Sequence, residues 1–186
     1  MIQIIILAIV IAVLWIISFK LMLAVVALYS AGVFLYMNFL VPREIPEKLP
    51  ADAERFIRKN RRKSKLEFMK AAFRLVDRKY ASGRLGYFIH PERYFLKDFN
   101  KIWGIKGFIL CDKQTYALAV LLVRSKKFKR REIIEEWSIE LPYPHNYLKI
   151  KLGNKNYCLD PWGHDHGARF GDYALKEGLF KISYRF

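Results

Sequence analysis

His145-Asn146-Tyr147-Leu148-Lys149-Ile150-Lys151-Leu152-Gly153-Asn154-Lys155-Asn156-Tyr157-Cys158-Leu159-Asp160-Pro161 is the stretch that decides how this chain folds. Leu148, Ile150 and Leu152 alternate with Tyr147, Lys149 and Lys151, and Tyr157 and Leu159 alternate with Cys158 and Asp160. A period of two marks strands with one buried face. Gly153-Asn154 between the two runs is a two-residue turn signal, so the stretch reads as a β-hairpin. Matching the apolar faces pairs Leu152 with Lys155, Ile150 with Tyr157 and Leu148 with Leu159. Tyr147 then lies opposite Asp160. His145 becomes the diagonal neighbour of Asp160 on the same face, roughly 7–8 Å away at Cα and within reach of a hydrogen bond. A slip of one residue would send the two side chains to opposite faces. The register that packing favours is the one that brings imidazole to carboxylate.

Upstream, Cys111-Asp112-Lys113-Gln114-Thr115-Tyr116-Ala117-Leu118-Ala119-Val120-Leu121-Leu122 reads as a helix with its apolar face at Leu118, Leu121 and Leu122. No Pro or Gly interrupts it until well past Val123. A thiol at a helix N-terminus meets unsatisfied N–H groups and the positive end of the dipole, both of which favour thiolate. Lys113 adds positive charge nearby. Alone, a Cys before an apolar helix is an ordinary core residue. With His145 and Asp160, Cys111 is a candidate nucleophile, His145 its base and Asp160 the group that orients the base.

The order and context of Cys111, His145 and Asp160-Pro161 resemble the transglutaminase-like superfamily of cysteine enzymes. There a Cys begins a core helix, a His begins a strand, and an Asp ends the neighbouring strand, often as Asp-Pro. The resemblance covers roughly residues 66–165. It departs from the pattern at Asn146-Tyr147, where a small residue and then Trp commonly follow the His, and at Ile109-Leu110, where a Gly often precedes the Cys. It implies an α+β domain with helices packed on a small antiparallel sheet. It also implies acyl transfer at an amide of a protein or peptide substrate, by a cysteine peptidase or amidase or by a protein-glutamine acyltransferase, with no cofactor. The oxyanion would be held by the Cys111 N–H and a second donor. Trp103, whose indole N–H is donor-only and lies shortly upstream, and Gln114, one helical turn after Cys111, are the candidates. The competing reading is a binding module of the same fold that is catalytically inactive and tethered to the membrane.

The tether is the second strong feature. Residues 1–41 contain a single charged side chain, Lys20. A straight helix of that length would span about 60 Å, twice a hydrocarbon core of roughly 30 Å. Lys20 divides it into residues 2–19 and 21–41, each near the length needed to cross. A transmembrane helical hairpin with Lys20 near the far interface is expected, giving a two-span cell-membrane protein. One span with an extended helix is the alternative. The segment lacks the basic n-region and small-residue cleavage site of a signal peptide.

Arg55, Arg58, Lys59, Arg61, Arg62, Lys63 and Lys65 follow with no acid among them. Such a cluster after a membrane segment marks the cytoplasmic side and binds anionic headgroups, at about 1 kcal/mol per residue near the surface. The net charge of +16 raises a nucleic-acid reading. The charge is concentrated beside the membrane segment and no nucleic-acid motif is recognisable, so the expected partner is an anionic bilayer rather than nucleic acid.

The plan is therefore a hairpin over residues 1–41, a basic juxtamembrane connector and helix over 42–65, and a catalytic domain over 66–186. Pro42, Pro46 and Pro50 stiffen the connector. Residues 51–80 read mostly as helix, with Leu66, Met69, Phe73, Val76 and Tyr80 as a core stripe. Residues 82–107 read as loop-rich and aromatic. Residues 133–141, with Trp137, Ile139 and Leu141 alternating, and residues 179–186 read as strands. Cys158 reads as a small buried residue, and a structural disulfide is not expected in a cytoplasmic domain. His164-Asp165-His166, with His145 or Cys158, has the composition of a metal site but reads as polar surface, and no metal site is assigned. Gly86 and Gly104 form no phosphate-binding fingerprint.

Overall fold

Helix α1 runs without a break over Ile2–Leu35, straight through Ser18, Phe19 and Lys20. The expected hairpin turn is not formed there. The reason is local: no Pro or Gly frees the backbone at that point, and one lysine does not interrupt the hydrogen-bond ladder. A wider π-helical turn, Tyr36–Leu40, continues the helix. The Asn38 amide donates to the Phe34 carbonyl at 2.8 Å within it. The span Trp15–Leu40, 26 residues with mean hydropathy 2.0, is long and apolar enough to cross a membrane. Among the described residues this is one such helix, and a second span is not shown.

This computed structural model describes residues 2–83, 85–139, 144–164, 166–172 and 180–186. The chain divides into two units, Met1–Phe39 and Leu40–Phe186. The second unit takes in the proline connector and the basic segment that the sequence set apart from the catalytic domain.

Within it, residues 51–80 form two helices rather than one, α2 (Ala51–Lys59) and α3 (Lys65–Lys79). The break has a chemical cause at Ser64. Its hydroxyl accepts the Glu67 N–H at 3.3 Å, and the Glu67 carboxylate accepts the Ser64 N–H at 3.0 Å. This reciprocal capping box starts a new helix in mid-pattern. Helix α3 buries Met69, Phe73 and Val76, with Tyr80 just beyond its end. Tyr80–Ala81 (β1) then pairs in parallel with Gly107–Phe108 (β2). Between them, the segment expected to be loop-rich carries α4 (Gly86–Ile89), a 3₁₀ turn (Pro91–Phe95) and α5 (Phe99–Gly104).

Helix α6 (Cys111–Arg124) lies at the centre, and every residue from Cys111 to Leu122 is buried. The expectation of one apolar face is therefore too narrow, because the helix is covered all round. An antiparallel sheet follows, in the order β5-β4-β3-β6. Its strands are β3 (Ile133–Ile139), β4 (Pro144–Leu152), β5 (Lys155–Leu159) and β6 (Phe180–Arg185). The hairpin register is the expected one: Leu148 faces Leu159, Ile150 faces Tyr157 and Leu152 faces Lys155. Gly153 turns it at φ 59°, the left-handed region that a tight hairpin needs and that glycine adopts without steric cost. Leu141 and Leu179, expected in β3 and β6, lie outside the described residues. Ile133, Leu148, Ile150 and Leu159 join Phe68, Val76, Leu118 and Leu121 in one apolar core. Helix α7 (Pro161–His164) follows β5 and packs against α3 and α6.

Candidate active site

Three elements meet at one point because each ends or begins there. Cys111 is the first residue of α6, preceded by Leu110 in extended conformation. His145 is the second residue of β4, paired with Ser138 of β3. Asp160 follows the last residue of β5 and precedes Pro161, the first residue of α7.

The Asp-Pro pair has a physical reason. Asp160 Oδ1 accepts the Gly163 N–H at 2.8 Å and so caps α7. Pro161 takes the first helical position, where a missing N–H costs nothing. That capping bond fixes the carboxylate and leaves Oδ2 for His145 Nε2, at 2.7 Å. The imidazole's other nitrogen, Nδ1, is left free of Asp160, and Cys111 lies close enough to act on the ring's charge. Cys111 and His145 are each 4% exposed and Asp160 is 1% exposed. The three candidate catalytic residues are thus brought together, in the order thiol, imidazole, carboxylate.

The electrostatics follow from that burial. Desolvation pulls the His145 pKa down, but the Asp160 charge and hydrogen bond outweigh it. With a smaller contribution from Cys111, they raise it to about 10. The fold therefore favours imidazolium. Trp162 packs its ring 5.2 Å from the His145 ring and helps keep water from the His–Asp bond. Cys158 is a different kind of thiol. Burial first, then the nearby Glu136 carboxylate, push its pKa up to about 11, so it stays protonated. Both cysteines are free thiols.

Further bonds hold the frame. Thr115, one turn after Cys111, donates its hydroxyl to the Asn146 carbonyl at 3.2 Å, tying α6 to the strand beside His145. Asn146 Nδ2 donates to Glu135 at 3.0 Å, and the Tyr147 hydroxyl donates to Glu136 at 2.7 Å. The two residues after His145 that depart from the superfamily pattern are thus used to anchor β4 to β3. Glu135 also accepts from Arg43 Nε at 3.3 Å and from the Trp137 indole at 3.0 Å. Burial raises its pKa against the pull of Arg43.

Several expectations are corrected. Trp103 is no oxyanion donor: its one N–H is held by both oxygens of Asp52, at 2.9 Å each, and its ring stacks on Phe99. Gln114 spends its Nε2 on the Ile109 carbonyl at 3.2 Å and the Ser82 hydroxyl at 3.4 Å. Lys113 does not lend free charge to the thiol. It is fully buried, paired with Asp112 at 2.8 Å and bonded to the Leu40 carbonyl at 3.0 Å. His164 bonds to Asp77 at 2.8 Å, and His166 packs on Trp162 with ring centroids 4.4 Å apart. Asp165 lies outside the described residues. Among the described residues no group of three or more His, Cys, Asp and Glu side chains is gathered to hold a metal. The Trp103 assignment has a direct consequence. Trp103→Phe is expected to lower the unfolding free energy by about 1.5–3 kcal/mol, the worth of a bond to a charged group, in denaturant titration, while leaving alkylation of Cys111 unchanged.

Tyr87, on α4, is the residue that sequence reasoning missed. Its hydroxyl donates to Cys111 Sγ at 3.6 Å and accepts the Cys111 backbone N–H. Burial, then the neighbouring thiol, push its pKa far above a phenol's ordinary range, so it remains an O–H donor. Its ring packs against Phe108 at 5.5 Å and Trp162 at 6.4 Å. Gly86 lies so close to the Phe108 ring that no Cβ would fit, which seats α4 over the thiol. Leu85, Phe88, Ile89 and Phe95 are exposed around it. The sequence signal for Tyr87 was weak, since it sits in an aromatic, aperiodic segment. Trp162 had a better one, two residues beyond the capping Asp160.

Neither the models of known families nor the curated proteins contain a match to this chain.

Proposed function

We propose that this chain is a membrane-anchored, transglutaminase-like cysteine enzyme that transfers the acyl group of an amide. The observation that carries the reading is the buried His145–Asp160 pair at 2.7 Å, its carboxylate fixed by a helix cap, with Cys111 beside the imidazole. In the proposed cycle the Cys111 thiolate adds to the amide carbonyl carbon. The oxyanion is held by the Cys111 N–H and the Tyr87 O–H. The C–N bond breaks as His145 gives its proton to the leaving amine, and a thioester remains. Water, or a second amine, then adds to the thioester with His145 accepting its proton, and the thiolate returns. Asp160 holds the imidazole orientation throughout. The exposed apolar side chains around Tyr87 favour a peptide substrate that presents apolar residues beside the reacting amide.

The anchor is read as a single span formed by Trp15–Leu40. Lys20, within it, would reach toward an interface by extending its side chain. The basic run from Arg55 to Lys65 supports a cytoplasmic position for the second unit and attraction to anionic headgroups.

A second reading rests on one observation. Cys111 is only 4% exposed and Tyr87 covers it. That burial favours an inactive module that binds peptides without turnover. Iodoacetamide labelling of the detergent-solubilised chain separates the two. The enzyme reading expects alkylation of Cys111 at pH 6–7 that is at least tenfold faster than that of Cys158, and that slows at least tenfold in His145→Ala. Labelling of Cys111 that is indifferent to His145 and rises only near pH 8.5, as for an ordinary thiol, would leave the binding module.

A further inference from the structure

The juxtamembrane charges do not all face the same way. Of the basic residues between 55 and 65, Arg58 and Arg61 line a cleft of about 360 Å³, within the roughly 300–1,000 Å³ of small-ligand sites. Its other wall comes from the far end of α6, where Arg124 and Lys126 stand with Ser125. The geometry points to a binding site for the phosphate headgroup of a single anionic lipid, built by Arg58, Arg61, Arg124 and Lys126. This deepens the membrane-anchor reading and rests on it.

Charge counting favours an anion here. The cleft holds four cations and one acid, Glu54. The C-terminal ends of α2 and α6 also meet it, and each contributes about half a negative charge. Those two ends and Glu54 together offset about two of the four cations, leaving a surplus of about two. Among the described residues none of the four cations has an ion-pair partner, although Arg124 is half-buried. A guanidinium fork matches a phosphate with two parallel hydrogen bonds.

The backbone gives an independent sign. Lys126 has φ 60°, the only non-glycine in the left-handed region among the described residues. It follows the helix end, where glycine or asparagine is the usual choice. A lysine there brings a charge to the cleft at some cost in backbone conformation. Leu49 and Ile57 give the cleft an apolar side, suited to the glycerol and first methylenes that follow a lipid headgroup.

Chain length selects a lipid as the occupant. Only residues 41–50 separate Leu40, the end of the apolar span, from Ala51 at the start of α2. Fully extended they reach at most about 35 Å, and three prolines stiffen them. The start of α2 therefore stays within about 35 Å of the end of the span, so the chain keeps this cleft near the lipids the span crosses.

The test is native mass spectrometry of the full chain in detergent, titrated with phosphatidylglycerol. One lipid per chain is expected to bind saturably, with phosphatidylcholine binding at least tenfold more weakly. Arg124→Glu with Lys126→Glu should weaken phosphatidylglycerol at least tenfold, and Arg62→Ala with Lys63→Ala less than threefold. Lys126→Gly guards against misfolding, because it relieves the backbone while removing the charge. It should melt no lower than the parent and still lose affinity about threefold or more. Equal losses from the Arg62/Lys63 and Arg124/Lys126 pairs would mean diffuse attraction and overturn the site. So would unsaturable uptake, or displacement of the lipid by inorganic phosphate at matching concentration. Alkaline carbonate extraction of membranes carrying the same variants tests the anchor separately, since a released chain refutes the span without touching the lipid titration.

Discussion

His145→Gln is expected to slow the acylation of Cys111 by p-nitrophenyl acetate about 10³-fold at pH 7, read as the single-turnover release of nitrophenolate. A positioned acid–base group is worth roughly 10²–10⁴ in rate. Here the loss should fall toward the upper part of that range, because the imidazole both takes up the thiol proton and supplies the positive charge beside the thiolate. Glutamine keeps a donor near Asp160, so the carboxylate is not left unpaired and the fold is spared. A loss of less than tenfold would mean that His145 is a packed core histidine.

The same residue sets a pH dependence of stability, with a sign fixed by the direction of its shift. The folded state raises the His145 pKa from 6.5 to about 10 through Asp160. Its contribution is therefore fully present below about pH 6.5 and is lost as pH rises toward 10. The unfolding free energy of the parent minus that of His145→Gln should fall across this window, by at most about 1.4 kcal/mol per pH unit. A difference that stays flat from pH 6 to 10 would show that folding does not raise the His145 pKa.

How much of this could be read beforehand depended on whether the governing interaction was local. The hairpin was legible because its alternation allows one register that buries both apolar sets, and that register delivers His145 to Asp160. The start of α6 was legible because nothing interrupts its helix formers. The continuous helix through Lys20 was misjudged by treating one charge as a break, when a turn needs a backbone that can leave the ladder. The split at Ser64 was written in its own capping box, but the apolar spacing ran on across it and hid it. Trp103 shows the opposite limit. An indole N–H announces that it needs an acceptor, yet nothing local says that the acceptor is Asp52, brought there by the packing of α2. Lys113 was read as positive charge beside the thiol because it is a lysine in the first turn of the helix. Its burial follows from α6 being enclosed on every side, which only the assembled fold determines.

Tyr87→Phe is expected to lower acylation by p-nitrophenyl acetate about 10²-fold while leaving iodoacetamide alkylation of Cys111 unchanged or a few-fold faster. The two reagents differ in what they ask of the site. An ester passes through a tetrahedral oxyanion, and loss of one oxyanion donor costs roughly 10²–10³. Iodoacetamide is displaced at a saturated carbon and forms no oxyanion. The Tyr87 hydroxyl already receives the Cys111 N–H and points at Sγ, so it occupies the place where the oxyanion would form. An entering carbonyl must take that N–H from the phenol, and a small rotation leaves the O–H free to donate to the same oxygen. Burial keeps the phenol protonated, so the donor is present across the working pH range. If Tyr87 were only a cover, phenylalanine would still block the thiol by bulk, and both reagents would change together. A large loss with the ester alone identifies the hydroxyl as part of the chemistry, and parallel responses assign it to the lid.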